Sequence, residues 1–213
     1  MIFTLKKNFK IGDNLETTLS KREAKKLQSK HTITNCAIAL FSQRGLKDTS
    51  IADIMQEANL GIGTFYNYFQ SKDDLLSSLL TQIGLDIRQY FLKTKAEKKS
   101  EAEILNAIVL YSADVLERNR FILPLFMRAV DKSALSAQYH KMNKTPLPFK
   151  DLFDEIIQAG QKSGEFRNDI PAEIITEMFH SLFQTASFSS LPIKYQDNIR
   201  YKLNLILSGI KAK

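Results

Sequence analysis

Glycine and proline are scarce in this chain, and their scarcity limits the possible folds more than any other feature of the sequence. The 213 residues include 8 glycines and 5 prolines, well below the usual share of these two residues in globular proteins. Folds built from strands need turn residues at short intervals, and no stretch here alternates apolar and polar residues as a half-buried strand does. Apolar residues make up 44% of the chain and charged residues 25%, which excludes a disordered protein. The sequence therefore predicts an all-α globular fold.

Apolar residues recur at helical spacing along most of the chain. One such stripe ends at Gly45, and the longest runs from Leu75 to Phe91. Prolines and capping residues mark several starts and ends, and the charged stretch 93–100 predicts a hinge between an N-terminal and a C-terminal unit. The predicted helices span residues 30–44, 50–58, 62–69, 75–91, 101–117, 120–130, 146–160, 171–187 and 193–210, with partial helix from about Ser20.

Charge is distributed unevenly. The chain has a net charge of +7, and residues 1–30 carry eight Lys/Arg against three Asp/Glu. A basic end of this kind suits a polyanion such as DNA, and it equally suits a solvated tail. The single cysteine, Cys36, indicates a reducing cytoplasm, and neither a secretory signal nor an apolar run of membrane-spanning length is present. The three histidines lack metal-ligand spacing, so we expect no metal and no cofactor.

Two helix-capping signatures lie close together in the N-terminal third. Ser50 and Asp53 open one helix, and Ser71 and Asp74 open another, because a hydroxyl and a carboxylate at this spacing can satisfy unpaired amides of the first turn. Between the two signatures, Asn59 tolerates the left-handed backbone of a tight turn. Two short helices joined by such a turn form a helix-turn-helix, whose second helix reads the major groove of DNA.

The predicted helix 62–69 has two distinct sides. A helical wheel places Ile62, Phe65 and Phe69 together, facing the rest of the domain. Gly61 and Gly63 remove side chains where another backbone could approach closely. The opposite side is small and polar with a phenol on each margin, a shape that suits entry into a groove. This side comprises Gly63, Thr64, Tyr66, Asn67 and Tyr68.

These residues lie within a stretch, from about residue 32 to residue 80, that resembles the tetracycline-repressor-type (TetR) family of bacterial transcriptional regulators. The resemblance rests on four blocks in a fixed order. They are ALFSQRG at 39–45, TSIADI at 49–54, ANLGIGTFYNYF at 58–69 and SKDDLL at 71–76.

The resemblance implies a role for each matching residue. Base readout would fall to Thr64, whose methyl group can meet thymine, and to Asn67, which can pair with adenine. It also places Ile62 near DNA, whereas the wheel turns that residue inward. Phe41, Ile54, Phe65 and Phe69 match core positions. The implied DNA-contact set is Thr49, Ser50, Gly61, Gly63, Thr64, Tyr66, Asn67, Tyr68 and Lys72, with phosphates contacted by Thr49, Ser50, Tyr66, Tyr68 and Lys72.

The resemblance also implies the domain organisation. We predict a basic N-terminal arm at 1–27, able to follow the minor groove or phosphates, a helix-turn-helix domain at 28–75, and an effector-binding and dimerisation domain at 76–213. The last two helices would pair with their copies in a four-helix interface, giving a homodimer that matches a palindromic operator. A bulky apolar or aromatic effector is favoured, although core packing also explains the residues of the candidate pocket. These candidates are Tyr111, Phe126, His140, Phe153, His180, Phe183 and Gln184.

The resulting hypothesis is a cytoplasmic, ligand-responsive regulator that binds specific DNA, with repression as the family default. An enzyme is not expected, because the sequence has no G-x-S-x-G elbow, Walker loop or H-E-x-x-H motif. The glycines at 160 and 164 superficially suggest a phosphate loop, but their spacing better fits a helix end and a turn. The alternative hypothesis is a helical ligand-binding or scaffold protein that does not bind DNA.

Overall fold

The computed structural model describes residues 20–122 and 149–212, and within them the predicted all-α fold is confirmed. The described residues contain no strand beyond one isolated bridge between Phe166 and Lys211. A 3₁₀ turn at Arg120–Ile122 follows the fifth helix, and the rest of the predicted helix 120–130 lies outside the described residues. The helices are α1 (Lys21–Arg44), α2 (Ile51–Glu57), α3 (Ile62–Phe65), α4 (Lys72–Ala96), α5 (Glu101–Arg118), α6 (Phe149–Ser163), α7 (Ala172–Ser187) and α8 (Tyr195–Ile210).

The chain divides into two compact units, Met1–Lys72 and Asp73–Lys213. This division falls three residues before the predicted boundary at 75/76. It does not fall at the charged stretch 93–100, so the hinge predicted there was wrong. That stretch holds the exposed end of α4 and a turn in which Lys98 has φ 55°. Its charges therefore reflect a solvated helix end.

Helix α1 begins where partial helix was predicted, at about Ser20. Ser20 and Glu23 form a complete capping box, with Ser20 Oγ and N both donating to the Glu23 carboxylate at 2.7 and 2.9 Å. Residues 21–27, which we had assigned to an arm, are consequently the first two turns of α1. The buried residues of α1 all lie in its second half and are Ile33, Ala37, Leu40 and Phe41.

The core of the first unit forms where α1, α2 and the residues around α3 meet. Phe41, Ile54, Phe65 and Phe69 are each no more than 2% exposed. All four had been predicted as core positions, and the structure confirms them. This core holds the turn between α2 and α3 in place and leaves the opposite side of α3 in solvent.

The second unit packs α5, α6, α7 and α8 around aromatic and branched side chains, including Phe153, Phe179 and Phe183. Residues 160–164 end α6 and start a turn, as predicted. Gly164 has φ +79°, and a Cβ at Gly160 would lie 2.1 Å from a ring carbon of Phe166. In the described part of the chain, no helix combines the length and apolar character that crossing a bilayer requires.

Candidate functional site

The first helix of the predicted helix-turn-helix begins at a capping box. Ser50 Oγ and Ser50 N both donate to Asp53 Oδ2, at 2.6 and 2.8 Å, and Asp53 N donates back to Ser50 Oγ at 3.1 Å. The hydrogen bond from the Ser50 side chain is the main reason that the pKa of Asp53 is lowered. Ser50 is exposed as predicted, but the proton of its hydroxyl is already committed to Asp53.

Asn59 turns the chain between the two short helices. It adopts φ 52°, and the next amide, that of Leu60, donates to the carbonyl of Met55 at 3.0 Å. Asparagine is among the few residues that adopt this left-handed conformation readily. The structure therefore confirms the turn that the sequence predicted at this position.

The second helix is shorter than predicted. Helix α3 is a single turn, Ile62–Phe65, and the chain continues to Phe69 in tight turns. The amides of Tyr68 and Phe69 both donate to the carbonyl of Phe65, at 2.9 and 3.0 Å. We call residues 61–69 the exposed segment, because one of its sides faces solvent along its whole length.

Ile62 lies on the solvent side of the exposed segment. It is 53% exposed, whereas Phe65 and Phe69 are buried. The wheel-based prediction that all three residues pack inward was wrong for Ile62. The position near DNA that the family resemblance implies for it stays a prediction. A wheel assumes a regular helix with neighbours along it, and the first residue of a one-turn helix has no neighbour to pack against.

The polar groups of the exposed segment are free to bind another molecule. The side-chain hydroxyls and amide of Thr64, Tyr66, Asn67 and Tyr68 have no hydrogen-bond partner within the described residues. Tyr66 is 58% exposed, and its ring meets the edge of Phe65 at 5.5 Å between centroids. Buried rings thus hold the two phenols from behind while their hydroxyls reach solvent.

Gly63 has no structural reason to be glycine within the described residues, whereas Gly61 is the N-cap of α3, a position that favours glycine over alanine. Neither has positive φ, and a Cβ built on either would meet nothing within 4 Å. Glycine in a helix is less stable than alanine by up to about 1 kcal/mol. A close approach by a binding partner would explain why side chains are missing here.

Lys72 supports the turn that precedes α2. Its ammonium group donates to the carbonyls of Leu46 and Thr49, at 2.6 and 2.9 Å. One of the three N–H donors of Lys72 remains for a phosphate, so the predicted phosphate contact stays a prediction. Lys72 also has a structural role, which is to hold the turn before α2.

The predicted side-chain contact from Thr49 is corrected by the structure. Thr49 is 1% exposed, and its hydroxyl donates to the carbonyl of Gly45 at 2.8 Å. Its side chain therefore closes the turn between α1 and α2 from inside and cannot reach a phosphate.

Three of the predicted effector residues come together in the second unit. The ring of Phe153 on α6 lies 6.0 Å from the ring of His180 and 6.4 Å from that of Phe183, both on α7. Phe179 completes this group by stacking on Phe153 at 5.6 Å. Phe179 is not among the effector residues predicted from the sequence. The four rings are called the aromatic cluster below.

Two of the remaining effector candidates are described by the structure and lie outside this cluster. Tyr111 stacks on Tyr90 at 4.1 Å, and its burial raises its pKa. Gln184 is exposed on the outer side of α7, so assigning it to an interior pocket was wrong, because it lies about 100° around the helix from the buried Phe183. Phe126 and His140 lie outside the described residues.

Two buried aliphatic hydroxyls in the second unit lack hydrogen-bond partners among the described residues. Ser112 on α5 is 1% exposed and Thr176 on α7 is 0% exposed, and neither hydroxyl finds a hydrogen bond among the residues described. Leaving such a group unpaired costs about 1–3 kcal/mol. Thr176 lies one turn before His180, on the side of α7 that carries the aromatic cluster. Sequence reasoning missed both, because a hydroxyl on a helix is usually bonded or solvated.

The outer surfaces of α7 and α8 are apolar. Ile174 and Met178 on α7 are 50% and 47% exposed, and Leu205 on α8 is 75% exposed. The two helices border an open groove of about 330 Å³. Residues lining it are Met178, Ser181, Leu182, Thr185, Lys202, Leu205 and Ile206.

The comparisons with known proteins agree with this geometry. Residues 33–79, which contain α2 and α3, match the model of the family described as bacterial regulatory proteins, tetR family.

No group of three or more His, Cys, Asp or Glu residues able to hold a metal ion occurs between residues 20 and 122 or between 149 and 212.

Relatives extend the likeness beyond the matched domain. The HTH-type transcriptional repressor KstR2 of Rhodococcus jostii is 24% identical over 67% of this chain and 70% of its own length. The fatty acid metabolism regulator protein of Bacillus subtilis is 22% identical over 85% of this chain and 95% of its own. Among solved structures, Thermus thermophilus FadR in complex with lauroyl-CoA is 23% identical and has a TM-score of 0.62, covering 86% of this chain and 96% of that one.

Proposed function

Because residues 33–79 place this chain in the TetR family of bacterial regulatory proteins, we propose that it is a transcriptional repressor that releases its operator when a small hydrophobic molecule binds. The observation that carries the proposal is the exposed segment, 61–69. It combines a glycine that the fold does not need, Gly63, with four polar side chains that have no partner among the described residues.

The exposed segment would enter the major groove with its solvent side against the bases. Thr64 and Asn67 would read base edges, and the hydroxyls of Tyr66 and Tyr68 would donate to phosphates on either side of the groove. Ile62 adds an apolar contact of the kind that a thymine methyl group accepts. The buried phenylalanines behind the segment fix these groups before DNA arrives, which lowers the entropic penalty of binding.

A homodimer would present two exposed segments to a palindromic operator. The apolar outer surface of α7 and α8 is the part of the second unit suited to this role, since large exposed apolar patches mark interaction surfaces. Light scattering at micromolar concentration should give twice the chain mass of 24.3 kDa. Leu205→Glu should yield monomers. The control Leu85→Glu makes the same change at another exposed leucine, on α4, and should leave the dimer intact. A monomeric wild type would refute this interface.

The effector site would lie at the aromatic cluster. Its rings offer an apolar wall, and the hydroxyl of Thr176 together with the imidazole of His180 offers polar recognition beside it. A relative of known structure holds lauroyl-CoA, and another is named for fatty acid metabolism. Long-chain acyl-CoA thioesters are therefore the first effectors to test.

Helix α4 offers a route from effector to DNA. It begins at Lys72, the last residue of the first unit, and continues through the second. Within the second unit, Glu155 on α6 pairs with Lys95 at 2.8 Å and Arg88 at 3.4 Å, both on α4. Since α6 also carries Phe153, a ligand that displaces α6 would shift α4 as well.

The decisive experiment measures DNA binding and its reversal in one assay. Labelled duplex from the region upstream of the protein's own gene should raise fluorescence anisotropy when the protein is added, and a scrambled duplex should require far more protein. Lauroyl-CoA should then release the DNA by weakening its affinity about 5- to 150-fold, whereas coenzyme A without an acyl chain should not.

Three outcomes are informative. No binding to any duplex would refute the repressor and favour a helical ligand-binding protein. DNA binding that no acyl-CoA affects would refute this effector class. If lauroyl-CoA releases DNA from the Glu155→Gln variant as completely as from the wild type, the route through α6 and α4 would be refuted.

A further inference from the structure

The first turns of α1 stand outside the core of the first unit. Residues 21–28 are all exposed, and the first buried residue of the helix is Ile33. We call residues 21–28 the free portion of α1. At a rise of 1.5 Å per residue, the free portion extends about 12 Å along the helix axis. The capping box at Ser20 and Glu23 stabilises its end, so a helix persists here without a hydrophobic face to hold it.

This free portion concentrates positive charge. Its cations repeat at four-residue steps, so that each repels the next along one side of the helix. Within the described residues none of them forms an ion pair, and the single acid, Glu23, is bonded to Ser20. These cations are Lys21, Arg22, Lys25 and Lys26, and Lys30 lies one step beyond the free portion.

The cationic side of α1 leads to the exposed segment. The ammonium group of Lys30 lies 5.5 Å from the centre of the Phe69 ring, at the last residue of that segment. Lys26 and Arg22 follow from Lys30 at steps of about 6 Å along the same side of the helix. We call Arg22, Lys26 and Lys30 the cationic stripe.

We propose that the cationic stripe of α1 is a second DNA-contact surface, which binds backbone phosphates flanking the bases met by the exposed segment. The inference rests on the proposed DNA-binding function and extends it. A helix with side chains is about 10–12 Å wide, whereas the minor groove is only about 6 Å wide. Residues 21–27 therefore contact phosphates along the outside of the duplex and do not enter the minor groove as an extended arm would.

Phosphate contacts carry no base information, and this makes the inference testable. Arg22→Gln with Lys26→Gln keeps good helix formers in α1 and removes two cations from each chain. The plot of log affinity against log salt should become shallower by about 1.8 for each chain bound. The ratio of wild-type to variant affinity should consequently be larger at about 50 mM than at about 200 mM salt, by about 12-fold for one bound chain and about 150-fold for a homodimer. The preference for operator over scrambled duplex should not change.

Two matched variants serve as controls. Lys162→Gln with Lys194→Gln makes the same change in charge at exposed lysines of the second unit, and its salt slope should equal that of the wild type. Arg22→Lys with Lys26→Arg keeps the charges and should also keep the slope. Circular dichroism should show the same helix content in all four proteins.

Each outcome bears on one proposal. If the wild type and the Lys162→Gln, Lys194→Gln control bind DNA, and the Arg22→Gln, Lys26→Gln variant shows the same salt slope as they do, the cationic stripe is not a DNA contact. The repressor proposal would still stand. If the wild type binds no duplex, the proposed function fails first. If the Gln variant loses binding to phosphatidylserine vesicles and keeps its DNA slope, the stripe serves a membrane surface and the inference is overturned.

Discussion

Replacing Gly63 with alanine should stabilise the free protein and weaken its binding to DNA. In the free chain the added Cβ meets nothing within 4 Å, and alanine is favoured over glycine in a helix by about 0.8–1.0 kcal/mol. Because α3 is only one turn long, we expect a gain of about 0.5–1 kcal/mol in the free energy of unfolding.

On DNA the same methyl group would occupy the space between the helix backbone and the groove. Inserting one carbon into a close-packed contact costs about 1–3 kcal/mol. This corresponds to about a 5- to 150-fold weaker dissociation constant. The loss should appear with operator and scrambled duplex alike, since the backbone approach is common to both.

Urea unfolding followed by circular dichroism measures the first effect, because the chain has no tryptophan to report by fluorescence. Anisotropy of a labelled duplex measures the second. Thr81→Ala on α4 is a matched control, since it improves helix propensity without adding bulk to the exposed segment. Unchanged or tighter DNA binding by the Gly63→Ala variant would refute the idea that glycine allows a close approach to DNA. A lower free energy of unfolding in that variant would refute the claim that a Cβ has open space at this position.

Four other changes test particular contacts. Lys72→Met should lower the free energy of unfolding by about 2 kcal/mol in a urea titration, because two charge-assisted hydrogen bonds are lost, and an equal effect from Lys47→Met, at an exposed lysine, would contradict that role. Asn67→Ala should reduce preference at one base pair by about 1–3 kcal/mol in competition binding with single-base operator variants; an unchanged profile would assign the readout elsewhere. Gly160→Ala should cost about 1–3 kcal/mol, because its Cβ would collide with a buried ring, and an unaltered melting temperature would argue against the clash. Burial raises the pKa of Tyr195 to about 12 from 10.0, so the unfolded state loses its proton first and stability should fall as pH rises through that interval; Tyr195→Phe should flatten the decline, and a decline that persists in it would implicate other groups.

Much of the fold could be predicted because local signals agree with one another. The capping pair at Ser50 and Asp53 and the left-handed Asn59 fix the positions of α2 and the following turn without any tertiary information. The long apolar stripe predicted the first and last residues of α4 to within a few positions. Such elements depend on neighbours close in sequence, which a sequence displays directly.

The errors share a different cause. Ile62 is exposed, Thr49 is buried and Gln184 faces outward because of packing around them, and the periodicity of a short segment does not encode that packing. The second role of Lys72 depends on carbonyls more than 20 residues away in sequence. Contacts of this kind follow only from the assembled unit.

Buried and solvent-facing residues are interleaved in the exposed segment, and this has an evolutionary consequence. Phe65 and Phe69 secure the unit, whereas positions 61, 62, 63 and 67 contribute nothing to its interior. Under the proposed function, gene duplicates can therefore acquire new target sites through substitutions at those four positions without first acquiring compensatory changes elsewhere. Divergence of regulatory circuits is thus uncoupled from selection for a folded domain.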